Sequence, residues 1–278
     1  MIKVLVTGGA GFIGSHLLER LIKREDYRID IVDDLSTGNK DNVKAYMGGE
    51  RTRFYQCKIQ DFPVKEEYDI IYHLAAKANT RATGLVEFED NIMATEAVTK
   101  MLTPYGHIIF SSSCAVYGNQ AVVNEESPYQ PISPYGYSKW MNELTIKNNC
   151  KNYSIFRFAN VFGERQDGSN EMGLIGVIDY HLKKSSTMSV YNQGANKRDY
   201  IYVKDVVKAL TTIRGNSPFQ VGRFETYKTL DLVELSGVDW VYGADNTEVD
   251  SIKLDNTKLK AKGWKPTLTV TEYIERLK

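Results

Sequence analysis

Short β-branched runs alternate with amphipathic stretches through the first part of the chain. "IKVLVTG" reads as a strand and leads into a predicted helix near Ser15 to Arg24. "RIDIVDD", "RFYQCKI" and "YDIIYHLAA" follow as further strands, the last preceding a helical pattern around Leu85 to Leu102. "HIIFSSS" comes next, then a helix opened by Ser133-Pro134, then "YSIFRFANVFG". Strand and helix in this alternation predict a parallel sheet covered on both faces, an α/β fold of the doubly wound Rossmann type. After Gly163 the pattern loosens: "GERQDGSNEMG" reads as a loop and "SVYNQGANKRDYIYVKDVVKAL" as a strand, a turn and a helix. The expected organisation is a nucleotide-binding domain over 1–163 with a returning segment around 196–214. Residues 164–195 and 215–278 would then form a small, discontinuous C-terminal substrate-binding cap.

Composition narrows the function classes. The 278 residues include 35 Lys plus Arg and 35 Asp plus Glu, so no nucleic-acid or other polyelectrolyte partner is expected. No apolar run has the length of a bilayer span, and "MIKVLVTGG" lacks the regions of a secretory signal. Cys57, Cys114 and Cys150 are scattered, with no C-x-x-C spacing. They fit a reducing, cytoplasmic setting and no metal site.

Two stretches carry chemistry. In "VLVTGGAGFIGSHLLERL", Gly8, Gly11 and Gly14 lie three apart between the first strand and the first helix. Such a turn permits tight backbone geometry, close approach to a pyrophosphate and close helix packing, with the helix N-terminus favouring the anion. A glycine-rich structural turn is the plain alternative. Asp33 closes "IDIVDD" about 20 residues on, where a ribose-binding acid belongs. A carboxylate there, reinforced by Asp34, accepts ribose hydroxyls and repels a 2′-phosphate, so NAD is favoured over NADP. In "SPYGYSKW", Tyr135 and Lys139 share a helical face and form a candidate acid/base pair, while Tyr137 points elsewhere. A surface tyrosine beside a solvated lysine is the competing reading. Tyr180/Lys184 and Tyr200/Lys204 repeat the spacing, so spacing alone does not select the pair.

"TGGAGFIGSH", "VDDLSTGN", "HLAA", "FSSSCAVYG", "SPYGYSKW", "FRFANVFGERQ" and "KRDYIYVKDVVKA" occur in one order over nearly the whole chain. In that order they resemble the extended short-chain dehydrogenases, the NAD-dependent epimerase/dehydratase family, and most closely its nucleotide-sugar epimerases of the UDP-glucose 4-epimerase type. The resemblance selects Tyr135 and Lys139 and implies that Lys139 also hydrogen-bonds the nicotinamide ribose. It implies that Ser113 hydrogen-bonds the reacting oxygen, although a serine cluster also suits a polar strand end. A free tyrosine, with a pKa of about 10, is a poor base near neutrality. A nearby ammonium and a positive nicotinamide ring are expected to lower it.

Around the cofactor the resemblance implies Gly8, Gly11, Phe12, Ile13 and Gly14 at the first turn. Asp33, Asp34, Ser36, Thr37 and Gly38 follow in the second, with Ile59, Leu74, Ala75, Ala76, Asn91, Ser111 and Phe158 further on. Asn91 is read almost as readily as a core or helix-surface amide. Lys77 has two readings, a reach to the nicotinamide ribose or substrate, and a surface lysine. Asn160 and Arg198 resemble the groups holding the substrate diphosphate, the planar guanidinium suiting phosphate oxygens. For Arg198 an ion pair with Asp199 or another carboxylate stays open. His73 is read as a satisfied core histidine.

The chain departs from the family pattern at Lys58, where an acid usually meets the adenine. It departs again near Asp245, where an arginine often grips the nucleotide diphosphate. The resemblance implies a nucleotide-sugar substrate, 4-epimerisation of a UDP-hexose, tightly bound NAD, and a homodimer through the helices near Leu85–Leu102 and Tyr135–Asn149. A monomer stays open. So do a dehydratase, a UDP-uronate epimerase or decarboxylase, and a non-catalytic NAD-binding module.

Overall fold

A computed structural model describes residues 1–63, 66–79, 82–169, 173–244 and 251–278. Asp245 lies outside the described residues. The chain forms two units, and elements are numbered along the whole chain. The first unit comprises Met1–Val116, Pro131–Arg157 and Leu210–Phe219. Its strands are β1 (Ile2–Thr7), β2 (Tyr27–Val32), β3 (Thr52–Tyr55), β4 (Tyr68–His73), β5 (Leu102–Ser113), β7 (Asn152–Phe158) and β11 (Ser217–Val221). They make one seven-stranded sheet in the order β11-β7-β5-β4-β1-β2-β3. The β1/β2, β1/β4, β2/β3 and β4/β5 pairs are parallel. That order reverses beside β1, the switch point at which doubly wound sheets bind ligands beyond their carboxyl ends. Thr7 pairs with Val32 and with His73, and His73 with Phe110, so the strand ends that approach the site are level.

Helices α1 (Phe12–Leu21), α2 (Glu89–Thr99) and α3 (Pro134–Asn149) belong to this unit. Helix α1 buries Leu17, Leu18 and Leu21 at the spacing of one apolar stripe. Helix α3 starts where the sequence dictates: Ser133 caps the N–H of Gly136 at 3.1 Å, and Pro134 occupies the first turn, where a missing N–H costs nothing. The pattern around Leu85 resolves into a short 3-10 turn, Leu85–Phe88, followed by α2. Strand β5 begins earlier than "HIIF" suggests. Leu102 pairs with Tyr68 across a register shift, which accommodates the Pro104–Gly106 stretch within the strand.

The second unit comprises Tyr117–Gln130, Phe158–Ala209 and Gln220–Lys278. It holds β6 (Val122–Val123), β8 (Asn160–Phe162), α4 (Leu174–Lys184), β9 (Met188–Val190) and β10 (Lys197–Tyr202). The chain continues with α5 (Val203–Thr212), β12 (Thr226–Lys228), α6 (Thr229–Ser236), β13 (Trp240–Tyr242), β14 (Ser251–Leu254), α7 (Thr257–Ala261) and α8 (Val270–Glu275). A five-stranded sheet runs β12-β10-β14-β6, with β8 on β10, and β13 pairs β9 separately. Asp199 organises this sheet: its carboxylate accepts the N–H groups of Arg223 (2.8 Å), Phe224 (3.0 Å) and Leu254 (3.1 Å). The C-terminal segment is anchored by buried Trp264, whose indole donates to Asp205 O at 2.9 Å.

These boundaries differ from an expected first domain over 1–163 with a return at 196–214. Residues 117–130 and 158–163 group with the second unit, and the returning segment is Leu210–Phe219. Strand pairing explains the difference. Strands β8 and β10 pair with each other and β6 pairs with β14, whereas β11 continues the large sheet. Among the described residues no helix is long and apolar enough to cross a membrane.

Candidate active site

The glycine turn closes against the end of β4. Gly8 has φ +71°, and a Cβ built on it would lie 2.7 Å from Ala75 N, so Leu74–Ala75 backbone can approach only because the side chain is absent. Ala75 N–H donates to Thr7 Oγ1 at 3.2 Å, and Leu74 N–H to Thr7 O at 3.2 Å, which ties this segment to β1. A Cβ on Gly14 would lie 2.0 Å from Gly8 O, so α1 packs directly onto the turn. At Gly11 a Cβ would meet only Gly8 O, at 3.3 Å, among the described residues. Gly11 also supplies no side-chain cap to α1, whose first residues are Phe12 and Ile13. A helix N-terminus without a side-chain cap fits a pyrophosphate.

Asp33 closes β2 and is buried. Its oxygens accept Ala10 N–H and Leu35 N–H, each at 2.9 Å, which fixes the carboxylate and leaves lone pairs for ribose hydroxyls. Burial pushes its pKa up, against the pull of those backbone donors. Gly38 crowds the same group, since a Cβ there would sit 2.7 Å from Asp33 Oδ1. Asp34, Ser36 and Thr37 are exposed beside it, and Asp34 Oδ1 accepts both Ser36 N–H and Oγ–H. Ile59 is buried after β3. Lys58, in the acid's place, pairs with Asp90 of α2 at 3.0 Å, and Lys77 reaches the same carboxylate at 3.0 Å. The residues present thus fit a dinucleotide with free ribose hydroxyls.

Asn91 is buried, and both ends of its amide are engaged. Its Oδ1 accepts Lys77 N–H at 2.8 Å and its Nδ2 donates to Lys77 O at 3.0 Å, so it holds the end of the Leu74–Lys77 segment. His73 lies at the centre of a hydrogen-bonded chain. Thr95 Oγ1 donates to Asn91 O at 2.9 Å and so accepts from His73 Nε2 at 3.0 Å, while His73 Nδ1 accepts Thr7 Oγ1–H at 2.8 Å. These partners assign a neutral ring protonated at Nε2. Burial, with Lys139 nearby, lowers the His73 pKa to about 3. The folded pKa is depressed, so the contribution to stability is present above the ordinary histidine range and lost as pH falls from about 6.5 towards 3. Urea unfolding at pH 7 and pH 5 should show the wild type losing about 2 kcal/mol more than a His73→Gln variant. Equal losses would contradict the assignment.

Tyr135, Lys139, Ser111 and Ser113 come together where α3 meets the end of β5. Tyr135 is half-buried, packs on Phe88 at 5.9 Å between ring centroids, and lies close enough to Ser113 for that hydroxyl to pull its pKa down. Ser113 Oγ also accepts Ala115 N–H at 3.1 Å, which fixes its direction. Lys139 is buried; its Nζ donates to Ser111 O at 2.7 Å, lies 4.9 Å from the Phe110 ring centroid and 5.8 Å from that of Tyr135. Ser111 Oγ donates to His73 O at 3.1 Å. Burial pushes the Tyr135 phenol up to about 12, opposed by Ser113, and lowers Lys139 to about 7, opposed by Glu143. This corrects the expected ordering: the protein alone does not depress the phenol, because burial disfavours both charged forms.

In the second unit, Asn160 pairs with Tyr200, and Arg198 lies two residues along the same strand. Asn160 and Arg198 are therefore diagonal neighbours on one face of the sheet, both partly exposed. Asp199 is spent on backbone N–H groups, and Arg198 NH1 donates to Lys197 O at 3.0 Å. Phe158, at the end of β7, is buried. Three residues escaped the reading of the motifs. Ser112 donates to Glu143 Oε1 at 2.6 Å, and Arg157 meets the same carboxylate at 2.9 and 2.7 Å, all three buried. Glu143 lies four residues beyond Lys139, a spacing that could have flagged it.

The sequence matches the NAD dependent epimerase/dehydratase family over residues 4–222. A putative UDP-glucose 4-epimerase of Methanocaldococcus jannaschii is 33% identical over 301 aligned residues, covering 99% of this chain and 96% of that protein. The crystal structure of the Thermotoga maritima UDP-glucose 4-epimerase with UDP-glucose is similar at TM-score 0.86 and 30% identity, covering 99% and 96% of the two chains. DesIV, a dTDP-glucose 4,6-dehydratase of Streptomyces venezuelae solved with NAD and TYD bound, is similar at TM-score 0.89 and 25% identity, covering 99% and 96%. The chain belongs to the NAD dependent epimerase/dehydratase family. Its cofactor is NAD, the cofactor of that family, which the glycine turn and Asp33 fit.

Proposed function

We propose that the chain is a nucleotide-sugar 4-epimerase acting on a UDP-hexose, with NAD retained through turnover. The observation that carries this reading is the meeting of Tyr135, Ser113 and Lys139 at the carboxyl end of the sheet that also holds the glycine turn. NAD held there would supply a reversible hydride acceptor for the sugar C4 and a positive charge on its nicotinamide ring. Tyr135 Oη takes the proton of the 4-hydroxyl and later gives it back. Ser113 Oγ holds the reacting oxygen beside it. Lys139 Nζ, held by Ser111 O, with the nicotinamide charge, would favour the Tyr135 phenolate that accepts this proton. Gly8, Gly11 and Gly14 hold the pyrophosphate, Asp33 the ribose, and Leu74–Ala76 with Asn91 shape the wall beside them. Asn160 and Arg198 hold the substrate diphosphate, Phe158 borders the carboxamide, and Lys77 stays a surface ion-pair partner of Asp90.

Dehydration is the second reading, prompted by the likeness to DesIV. A 4,6-dehydratase wants an acid pair just after the serine, and Cys114 and Ala115 stand there, which favours epimerisation. A panel of UDP-sugars, incubated with purified protein and no added NAD, should show interconversion of 4-epimers. Formation of a 4-keto-6-deoxy sugar would overturn the reading.

We further infer a homodimer built on α2 and α3. Met93, Met141, Leu144 and Tyr137 are exposed on these two helices, and a groove between them is lined by Ile92, Met141 and Leu144 among others. Light scattering should give about twice the 31.6 kDa chain mass; a monomer at working concentration would end the idea.

A further inference from the structure

Glu143 and Arg157 form an ion pair buried to 0% and 1% exposure, in a bidentate geometry that also accepts the Ser112 hydroxyl. Burying two charges is costly, and apolar residues of similar volume often serve stability as well or better. Stability alone therefore gives a weak reason for the pair. Its location gives a better one. Tyr135, Lys139 and Glu143 are successive members of one helical face, four residues apart. They contact three consecutive residues at the end of β5: Tyr135 meets Ser113, Lys139 meets the Ser111 carbonyl, and Glu143 meets Ser112. Two of the three rungs hold the groups assigned to chemistry, and the third is set by the ion pair.

We propose that Glu143, clamped by Arg157, is a positioning residue that locks the Ser111–Ser113 strip in register with α3 and keeps Lys139 and Ser113 aimed at Tyr135. This rests on the reading of Ser113, Tyr135 and Lys139 as the reacting groups. Arg157 has a definite part in it. Glu143 lies one turn from Lys139 and of opposite sign, and its two oxygens are occupied by the guanidinium fork, with Lys147 Nζ at 3.7 Å as a further cation. Lys139 Nζ instead faces Ser111 O, the Phe110 ring and the Tyr135 ring. The titratable and charged groups around Lys139 are Tyr135 and Glu143 on α3 and neutral His73 on β4, with Arg157 of β7 behind Glu143.

The test uses two variants of the full chain as purified with its cofactor. Glu143→Gln removes the charge, and Ser112→Ala removes one rung while leaving the ion pair in place, so that the fold is spared. Lysine-labelled protein, with the Lys139 resonance assigned by its absence in Lys139→Met, gives the titration midpoint of that amine by NMR. Glu143→Gln should lower the midpoint by about one unit and turnover by about tenfold with KM unchanged. Ser112→Ala should lower kcat several-fold, again with KM unchanged. A folded Glu143→Gln with the wild-type midpoint, or a folded Ser112→Ala with wild-type kcat, would overturn the proposal. If the wild type turns over no nucleotide sugar, the Lys139 midpoint of Ser112→Ala still decides, because that variant keeps every charge: a return towards the ordinary lysine value upholds the positioning role and places the failure on the functional reading, and an unmoved midpoint overturns the role itself.

Discussion

Replacing Tyr135 by Phe should lower kcat on the nucleotide sugar by about 10²–10⁴-fold, the range over which a positioned acid/base group acts. The substitution removes one oxygen and keeps the ring, so packing on Phe88 survives. Ser113 Oγ keeps its bond from Ala115 N–H and loses only the phenol partner. Neither the glycine turn nor Asp33 touches this side chain, so the variant should retain NAD at wild-type stoichiometry and unfold near the wild-type temperature. Turnover, bound nucleotide and Tm measured on one preparation check all three. Near-normal turnover with retained NAD would move the acid/base role elsewhere and remove the reason for the Lys139 geometry.

Gly14→Ala should abolish cofactor retention. The added methyl would sit 2.0 Å from Gly8 O, 2.8 Å from Gly9 Cα and 2.9 Å from Gly8 C, all backbone atoms. No rotamer change relieves such contacts, because no side chain is involved. Gly8 cannot retreat either, since its N–H is bonded to Val32 O at 2.8 Å and it already abuts Ala75. The N-terminus of α1 must therefore move away from the turn, which opens the anion cradle; overpacking of this kind costs about 1–3 kcal/mol in addition. Nucleotide released by denaturing the purified variant should fall from near stoichiometric to near zero. Gly84→Ala is the control: the nearest atom is Val86 Cγ1 at 3.6 Å, an ordinary contact, so nucleotide content should not change. Full retention by Gly14→Ala would show that the cradle is not where the dinucleotide binds.

Local patterns made much of this fold and site readable. The first turn, Asp33 and the Ser133-Pro134 helix start are each written within a few residues, so the sequence carries them without help from distant partners. The choice of Tyr135/Lys139 over its decoys needed motif order, and the structure supplies a physical reason. Tyr200 lies on β10 and Lys204 on α5, so four residues there do not span one helical face, while Tyr180 and Lys184 lie exposed on α4. What could not be read depends on long-range pairing. Glu143 meets Arg157 on a strand 14 residues away, and His73 is satisfied by Thr7, 66 residues distant, and Thr95, 22 residues distant. Lys58 reads as a departure from the family pattern, and its partnership with Asp90, 32 residues on, is visible only in the fold. The assignment of 117–130 to the second unit rests on the two-residue strand Val122–Val123, too short to leave a periodic signature.

In the proposed 4-epimerisation one C–H bond, at C4 of the sugar, is broken and remade on the same carbon. A UDP-hexose deuterated at C4, incubated with the purified protein in ordinary water without added NAD, tests this most directly by mass spectrometry and NMR of the product. A 4-epimerase that returns its hydride should give the 4-epimer with deuterium retained at C4. Deuterium found at C6, or lost to water, would contradict it.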